Sequence, residues 1–238
     1  LASFIKIEGR IIRGVFQERP NRFLALVNVE NRALPSFLSN PGRMRELLTT
    51  GTEVVLREVL TENRKTNYDL IGVFYNGQMV SVDSRVPNKL VLEALKNRDI
   101  EELSGYNKIK PEYGYGHTRF DFFLSNDQER CLLEVKSCTL VKDGVAMFPD
   151  AETERGRRHV RDLVKAKKEG YRACVLFIVQ RNDVQVFAPN DETDPEFGKV
   201  LRNAAVEGVE VYAYKVELAS AFSLFYLSSK LGVVFERS

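Results

Sequence analysis

The sequence predicts a chain in two parts, a small β-barrel over residues 1–84 and a mixed αβ domain over residues 85–238. Three observations carry this. Up to about residue 84 the apolar residues fall in short runs separated by turn residues, as in a small all-β unit. Beyond Val86-Pro87 helical periodicity alternates with strand-like runs, the pattern of a sheet with helices packed on it. The run RACVLFIVQ at 172–180 is almost uniformly apolar, which suits a strand covered on both faces.

In the first part, residues 3–17 alternate apolar and polar positions through Ile5 and Ile7 and then from Ile11 to Phe16. A run at 22–29 follows the break at Pro20-Asn21, and another at 52–59 follows Gly51. YDLIGVFY and QMVSVDS flank Asn76-Gly77, the pair suited to a tight hairpin turn because both positions take φ > 0. Between the second and third runs, GRMRELLTT at 42–50 spaces Met44, Leu47 and Leu48 as a short helix would. Short strands with one small helix before the last hairpin describe a Greek-key barrel of the OB type.

In the second part, NKLVLEALKNR at 88–98 sets Leu90, Val91, Ala94 and Leu95 on one helical face, with Asn88 as N-cap. A Tyr- and Gly-rich loop is expected at 106–117, followed by strands at 118–124 and 130–140. A helix at 151–169, the apolar strand, a short strand at 184–189, a helix at 195–207 and a strand at 209–217 complete the order.

Composition is that of a soluble globular protein, 44% hydrophobic and 29% charged. No segment approaches the roughly 20 apolar residues that span a bilayer. Lys6, Glu8, Arg10 and Arg13 interrupt the first apolar segment, so a signal peptide is not expected and the cytoplasm is the expected compartment. Cys131, Cys138 and Cys174 are odd in number and lack CxxC spacing, which points to buried free thiols. A net charge of +2 is too small to indicate nucleic-acid binding, so any basic surface must be local.

Glu134 and Lys136 stand two apart on an expected strand and so share one face, while Cys131, Leu133 and Val135 face the other way. Asp121 sits between Phe120 and Phe122 on the preceding strand, its expected antiparallel neighbour. Two carboxylates about 4 Å apart repel by about 4 kcal/mol at an effective dielectric of about 20. A divalent cation converts that repulsion into ligation, and Mg²⁺ takes one or two carboxylates plus water and phosphate oxygens. Asp121, Glu134 and Lys136 are therefore the candidate catalytic residues: the two acids hold the metal and Lys136 meets the phosphate or the nucleophile. Glu112 is a further candidate metal ligand, reached from the expected loop. The competing reading is a Glu134–Lys136 salt bridge with Asp121 exposed at a strand edge. Asp150 is either a third site residue or the N-cap of the next helix.

That helix, AETERGRRHVRDLVKAKKEG, carries Arg157, Arg161, Lys165 and Lys168 at i, i+4, i+8 and i+11, with Arg155 and Arg158 beside them. Such a row matches the electrostatic footprint of phosphate binding; the competing reading is a solvated helix face. His159 is open between a phosphate contact, proton transfer and a structural role. In the barrel half, Phe23, Phe37 and Tyr68 are candidates either for base stacking or for the core.

The blocks GHTRFDFFL, LLEVKSCTLV and FPDAETERGRRHVRDL, with NPGRMRELLTTGTEVVL upstream and VYAYKVEL downstream, resemble the SfsA family of sugar fermentation stimulation proteins in collinear order over almost the whole chain. The resemblance implies an N-terminal OB-like domain and a C-terminal domain of the PD-(D/E)xK restriction-endonuclease type. It sets the nuclease motif on Asp121, Glu134 and Lys136, with Glu112 as the preceding acid, and it sets Asp150, Arg155, Gly156 and His159 in the downstream block. The expected partner is DNA, bound by Arg155, Arg157, Arg158, His159, Arg161, Lys165 and Lys168. The expected cofactor is Mg²⁺ or Mn²⁺, and a homo-oligomer stays open. Two functions compete: a metal-dependent DNA nuclease, and a non-catalytic DNA-binding regulator of sugar-metabolism genes that keeps the nuclease scaffold.

Overall fold

A computed structural model describes residues 3–61, 64–218 and 224–235. The first sheet holds β2 (Ile11–Asn21), β3 (Leu24–Val29), β4 (Arg32–Phe37), β5 (Glu53–Glu58), β6 (Tyr68–Tyr75) and β7 (Gln78–Ser81), in the order β4-β3-β2-β5-β6-β7. A parallel pairing of β4 with β6, Ser36 to Tyr68 and Phe37 to Asp69, closes it into a five-stranded barrel with OB connectivity. The Asn76-Gly77 turn joins β6 to β7 with both residues at positive φ, as their sequence demands.

Two expectations for this half are corrected. The strand β1 (Phe4–Lys6) leaves the barrel and pairs antiparallel with residues 224–226 in the other sheet. The segment 42–50 forms turns and no helix. Met44 takes φ 48° and its amide donates to Asp150 at 3.2 Å, so a long-range contact outweighs one weak turn of helical periodicity. Met44 and Leu47 remain fully buried in the barrel core.

The second sheet runs β11-β12-β14-β16-β15-β13-β10-β9-β8. Its strands are β8 (Lys108–Tyr115), β9 (Thr118–Ser125), β10 (Arg130–Cys138), β11 (Leu140–Lys142), β12 (Val145–Phe148), β13 (Arg172–Val179), β14 (Val186–Pro189), β15 (Glu210–Leu218) and β16 (Leu224–Val233). Parallel pairings of β13 with both β10 and β15 make it the centre of the sheet. Cys174, Leu176 and Ile178 face one core, and Ala173, Val175, Phe177 and Val179 face the other. An apolar side chain is thus required at every position, the pattern seen in the sequence.

α1 (Val86–Asn97) covers the first face through Leu90, Val91, Ala94 and Leu95. α2 (Glu154–Lys168) and α3 (Pro195–Val206) cover the second. The three cysteines are free and buried. The expected loop at 106–117 is largely the edge strand β8, where Pro111 and a positive φ at Glu112 are tolerated because one side of the strand is unpaired. No helix among the described residues is long and apolar enough to cross a membrane.

The barrel and the αβ unit share a wall. Val55 and Ile71 of the barrel pack into the α1-side core. Ser81 Oγ donates to Gln180 Oε1 at 2.7 Å, and Gln180 Nε2 donates to Ser137 Oγ at 3.0 Å.

Candidate active site

A cleft of about 720 Å³ opens between the two units, lined by Arg22, Asn40 and Gly42 from the barrel side and by Asp121, Glu134, Lys136, Asp150 and Arg155 from the αβ side. Its floor follows from strand register. β9 and β10 pair antiparallel as far as Phe122 and Leu133. One step further the ladder stops, and the Asp121 side chain takes the place of a backbone acceptor: Oδ2 accepts from the Val135 amide at 2.7 Å. Oδ1 accepts from Asn88 Nδ2 at 2.6 Å. Asn88 is thus not the helix cap expected of it. α1 begins two residues earlier, at Val86, and its first turn aims Asn88 at the acid. Burial, with the Glu134 charge next, pushes the Asp121 carboxyl up to about 6.

Glu134 is 3% exposed. Its Oε1 meets Lys136 Nζ at 2.5 Å and His159 Nδ1 at 2.5 Å. Its Oε2 is buried without a hydrogen-bond partner among the described residues. Burial opposes ionisation here, but Lys136 and the His159 hydrogen bond outweigh it and hold the carboxyl below its ordinary value. The Glu134–Lys136 salt bridge weighed from the sequence therefore exists, within the cleft. His159 is 2% exposed, so its expected contact with DNA is corrected: the ring faces the sheet, and it orients Glu134. Its Nε2 accepts from Arg155 Nε at 3.3 Å, which leaves the ring proton on Nδ1 toward the carboxylate.

Glu112 lies on β8 beside Asp121's strand, yet it is exposed and pairs with Arg119 at 3.2 Å, outside the cleft lining. Its expected place as a metal ligand is not met, because the segment is a fixed strand. Asp150 is not a helix cap either. Thr153 caps α2, its side chain accepting from the Gly156 amide at 3.0 Å, while Asp150 lines the cleft and accepts from Met44. A Cβ on Gly42 would stand 2.5 Å from Asp150 Oδ2, so the NPGRM and FPD blocks are fitted to each other.

The cations of the basic stripe of α2 each meet an acid, while Arg161, Lys165 and Lys168 stay half or more exposed at the surface. Arg157 pairs with Asp194 at 2.7 Å, Arg161 with Glu196 at 3.0 Å, Lys165 with Asp162 at 2.6 Å and Lys168 with Glu207 at 3.1 Å. Three of these acids belong to α3 or its ends, which the sequence of α2 alone does not reveal. Arg155 is the member of the set that lines the cleft, and Arg158 is exposed. Asn88, Arg22 and Asn40 were not among the expected site residues. A polar residue in the first turn of α1 was the one local signal.

A family model described as the sugar fermentation stimulation protein RE domain matches residues 85–221, and the SfsA N-terminal OB domain matches residues 18–82. A sugar fermentation stimulation protein homolog of Alkaliphilus metalliredigens is 49% identical over 88% of this chain and 91% of its own. The homolog of Caldanaerobacter subterraneus subsp. tengcongensis is 45% identical over 91% of this chain and 94% of its own. The structure of Pyrococcus furiosus SfsA in complex with Ca²⁺ superposes with a TM-score of 0.90 at 27% identity, covering 98% of this chain and 100% of that one.

Proposed function

Because the chain belongs to the SfsA family of sugar fermentation stimulation proteins, we propose that its interdomain cleft is a divalent-metal site that binds DNA and hydrolyses phosphodiester bonds. The observation that carries this reading is Glu134 Oε2, a buried carboxylate oxygen with no partner among the described residues, on the strand next to Asp121. A buried unpaired carboxylate oxygen is costly unless something cationic meets it. Asp121 and Glu134 would hold Mg²⁺ or Mn²⁺. Two carboxylates on neighbouring strands at the floor of an open cleft suit a cation that keeps water and phosphate oxygens in its shell. The Ca²⁺ complex of the Pyrococcus furiosus relative supports a cation in this fold. When bound, the ion supplies charge stabilisation at a phosphoryl oxygen and a more acidic water.

The chain's own residues do the rest. Asn88 and the Val135 amide fix Asp121, and His159 fixes Glu134. Lys136, 13% exposed at its side chain, lines the cleft and would meet a phosphate oxygen bound there. Arg155 and Arg22 add positive charge along its walls. Plasmid and oligonucleotide cleavage in Mg²⁺ and Mn²⁺ tests the reading. Glu134→Ala and Lys136→Ala are each expected to lower the rate by about 100-fold or more, the usual cost of removing an electrostatic stabiliser. Salt-sensitive DNA binding with no metal-dependent cleavage by the unaltered protein would leave the second reading, a DNA-binding regulator on a nuclease scaffold. One observation favours that reading: Lys136 and His159 already satisfy Glu134 Oε1.

A further inference from the structure

At one end of the barrel, β2 and β3 are joined by a tight turn in which the Phe23 amide donates to Asn21 Oδ1 at 2.9 Å. That turn holds Phe23 outward, 41% exposed, an arrangement no core packing requires. The Phe23 ring lies parallel to Phe37, centroids 6.3 Å apart and planes 23° from each other. The two rings, with Leu24, Pro35, Arg64 and Lys65, line an open groove of about 700 Å³.

Cations surround this shelf. The Arg22 guanidinium sits over Phe23 at 5.0 Å, and those of Arg64 and Arg85 approach the Phe37 ring at 5.8 and 5.7 Å. Fully buried Asp69 anchors Arg64, Arg57 and Arg85 together, the last two at 2.6 and 2.7 Å. With Asp83 that makes two carboxylates against three guanidiniums. Among the described residues Arg22 and Lys65 have no acidic partner, so the net charge beside the rings is positive. Arg22 also lines the cleft that holds Asp121 and Glu134, which makes the shelf and the cleft neighbours along one surface.

The geometry points to a binding site for unpaired bases of a DNA single strand. A base would stack on the exposed Phe23 ring as the Arg22 guanidinium turns from that face to a phosphate, and Phe37, Arg64 and Lys65 complete the shelf. A paired duplex keeps its base faces stacked on one another and has none to offer the shelf, whereas a single strand has every face available. The inference deepens the DNA reading above and rests on it for the class of ligand: the strand that reaches the cleft would be single-stranded, or unpaired at the point of entry.

Fluorescence anisotropy in EDTA, with a labelled oligothymidylate, a blunt duplex of equal length and an abasic strand of equal length, separates the possibilities. The single strand should bind more tightly than either of the others. Phe23→Ala should weaken single-strand binding by roughly 5- to 100-fold, the range for loss of one stacked base, and should leave the abasic strand unaffected. Phe23→Trp should restore binding. Phe23 is half-exposed, so the Ala variant should keep its thermal midpoint, and Phe37→Leu gives a second test of the same shelf. Equal binding of the abasic strand, or single-strand binding that Phe23→Ala leaves unmoved, overturns the site. Binding is read in EDTA on the unaltered cleft, so it does not depend on cleavage. Loss of cleavage activity as a property of the protein therefore strikes the catalytic reading alone.

Discussion

Asp121 is kept in an environment that disfavours its charge, and this makes a stability prediction at the scale of one residue. Its folded-state value, pushed up to about 6, lies above the ordinary carboxylate value of roughly 3.9. Between the two, the folded chain holds a proton that the unfolded chain has released. The group therefore favours folding more as pH falls through about 6 and opposes it above. In the metal-free protein Asp121→Asn should raise the thermal midpoint by a few degrees near pH 8, since about 1 kcal/mol moves a chain of this size by about 2–4 °C. The gain should fade toward pH 4, and a midpoint lowered by the substitution at pH 8 would refute the assignment. Glu134 has the opposite sign. Its carboxyl is held down, so its contribution is present at neutral pH and is lost as pH falls through the lowered value.

Helix α2 shows how an element's charge depends on what it packs against. Its buried face, Val160, Leu163 and Ala166, docks on the sheet, and its cationic flank meets the acids of α3 and its ends. Paired charges of this kind bring little net field to a polyanion. Lys165→Ala together with Lys168→Ala should leave DNA affinity within about twofold. Arg22→Ala and Arg155→Ala should each reduce the slope of log affinity against log salt by about one, as expected for a lost phosphate contact. A salt titration of the three variants measures this directly. A loss confined to the lysine pair would restore the helix face as the DNA surface.

Across the whole molecule, the barrel and the αβ unit are joined by a shared apolar wall, by the Ser81–Gln180–Ser137 chain and by the Met44–Asp150 contact. They should unfold together. Urea denaturation followed by tyrosine fluorescence and by far-UV circular dichroism is expected to give coincident transitions. Gly42→Ala should lower the common unfolding free energy by about 1 kcal/mol, because its Cβ displaces the Asp150 carboxylate and so loosens the hydrogen bond that this group accepts from the Met44 amide. Separated transitions for the unaltered protein would show instead that the wall is too weak to couple the units. Cleft geometry depends on that coupling, since Arg22, Asn40 and Gly42 come from one unit and the acids from the other.

The sequence by itself determined what local periodicity can encode. Period-2 alternation put Glu134 and Lys136 on one face, the Asn76-Gly77 pair specified its hairpin, and the unbroken apolar run of β13 announced a strand buried on both sides. The signature blocks added the family. Tertiary structure decided everything that joins residues far apart along the chain. Asn88 reaches Asp121 across 33 positions and Met44 reaches Asp150 across 106. His159 became a support for Glu134, and the basic stripe found its counter-charges on α3. Strand β1 left the barrel, 42–50 lost its helix, and Glu112 was held on an edge strand away from the cleft. The reason is common to all of these: a short window fixes which way a side chain points within its own element, but the group it meets there is set by packing between elements.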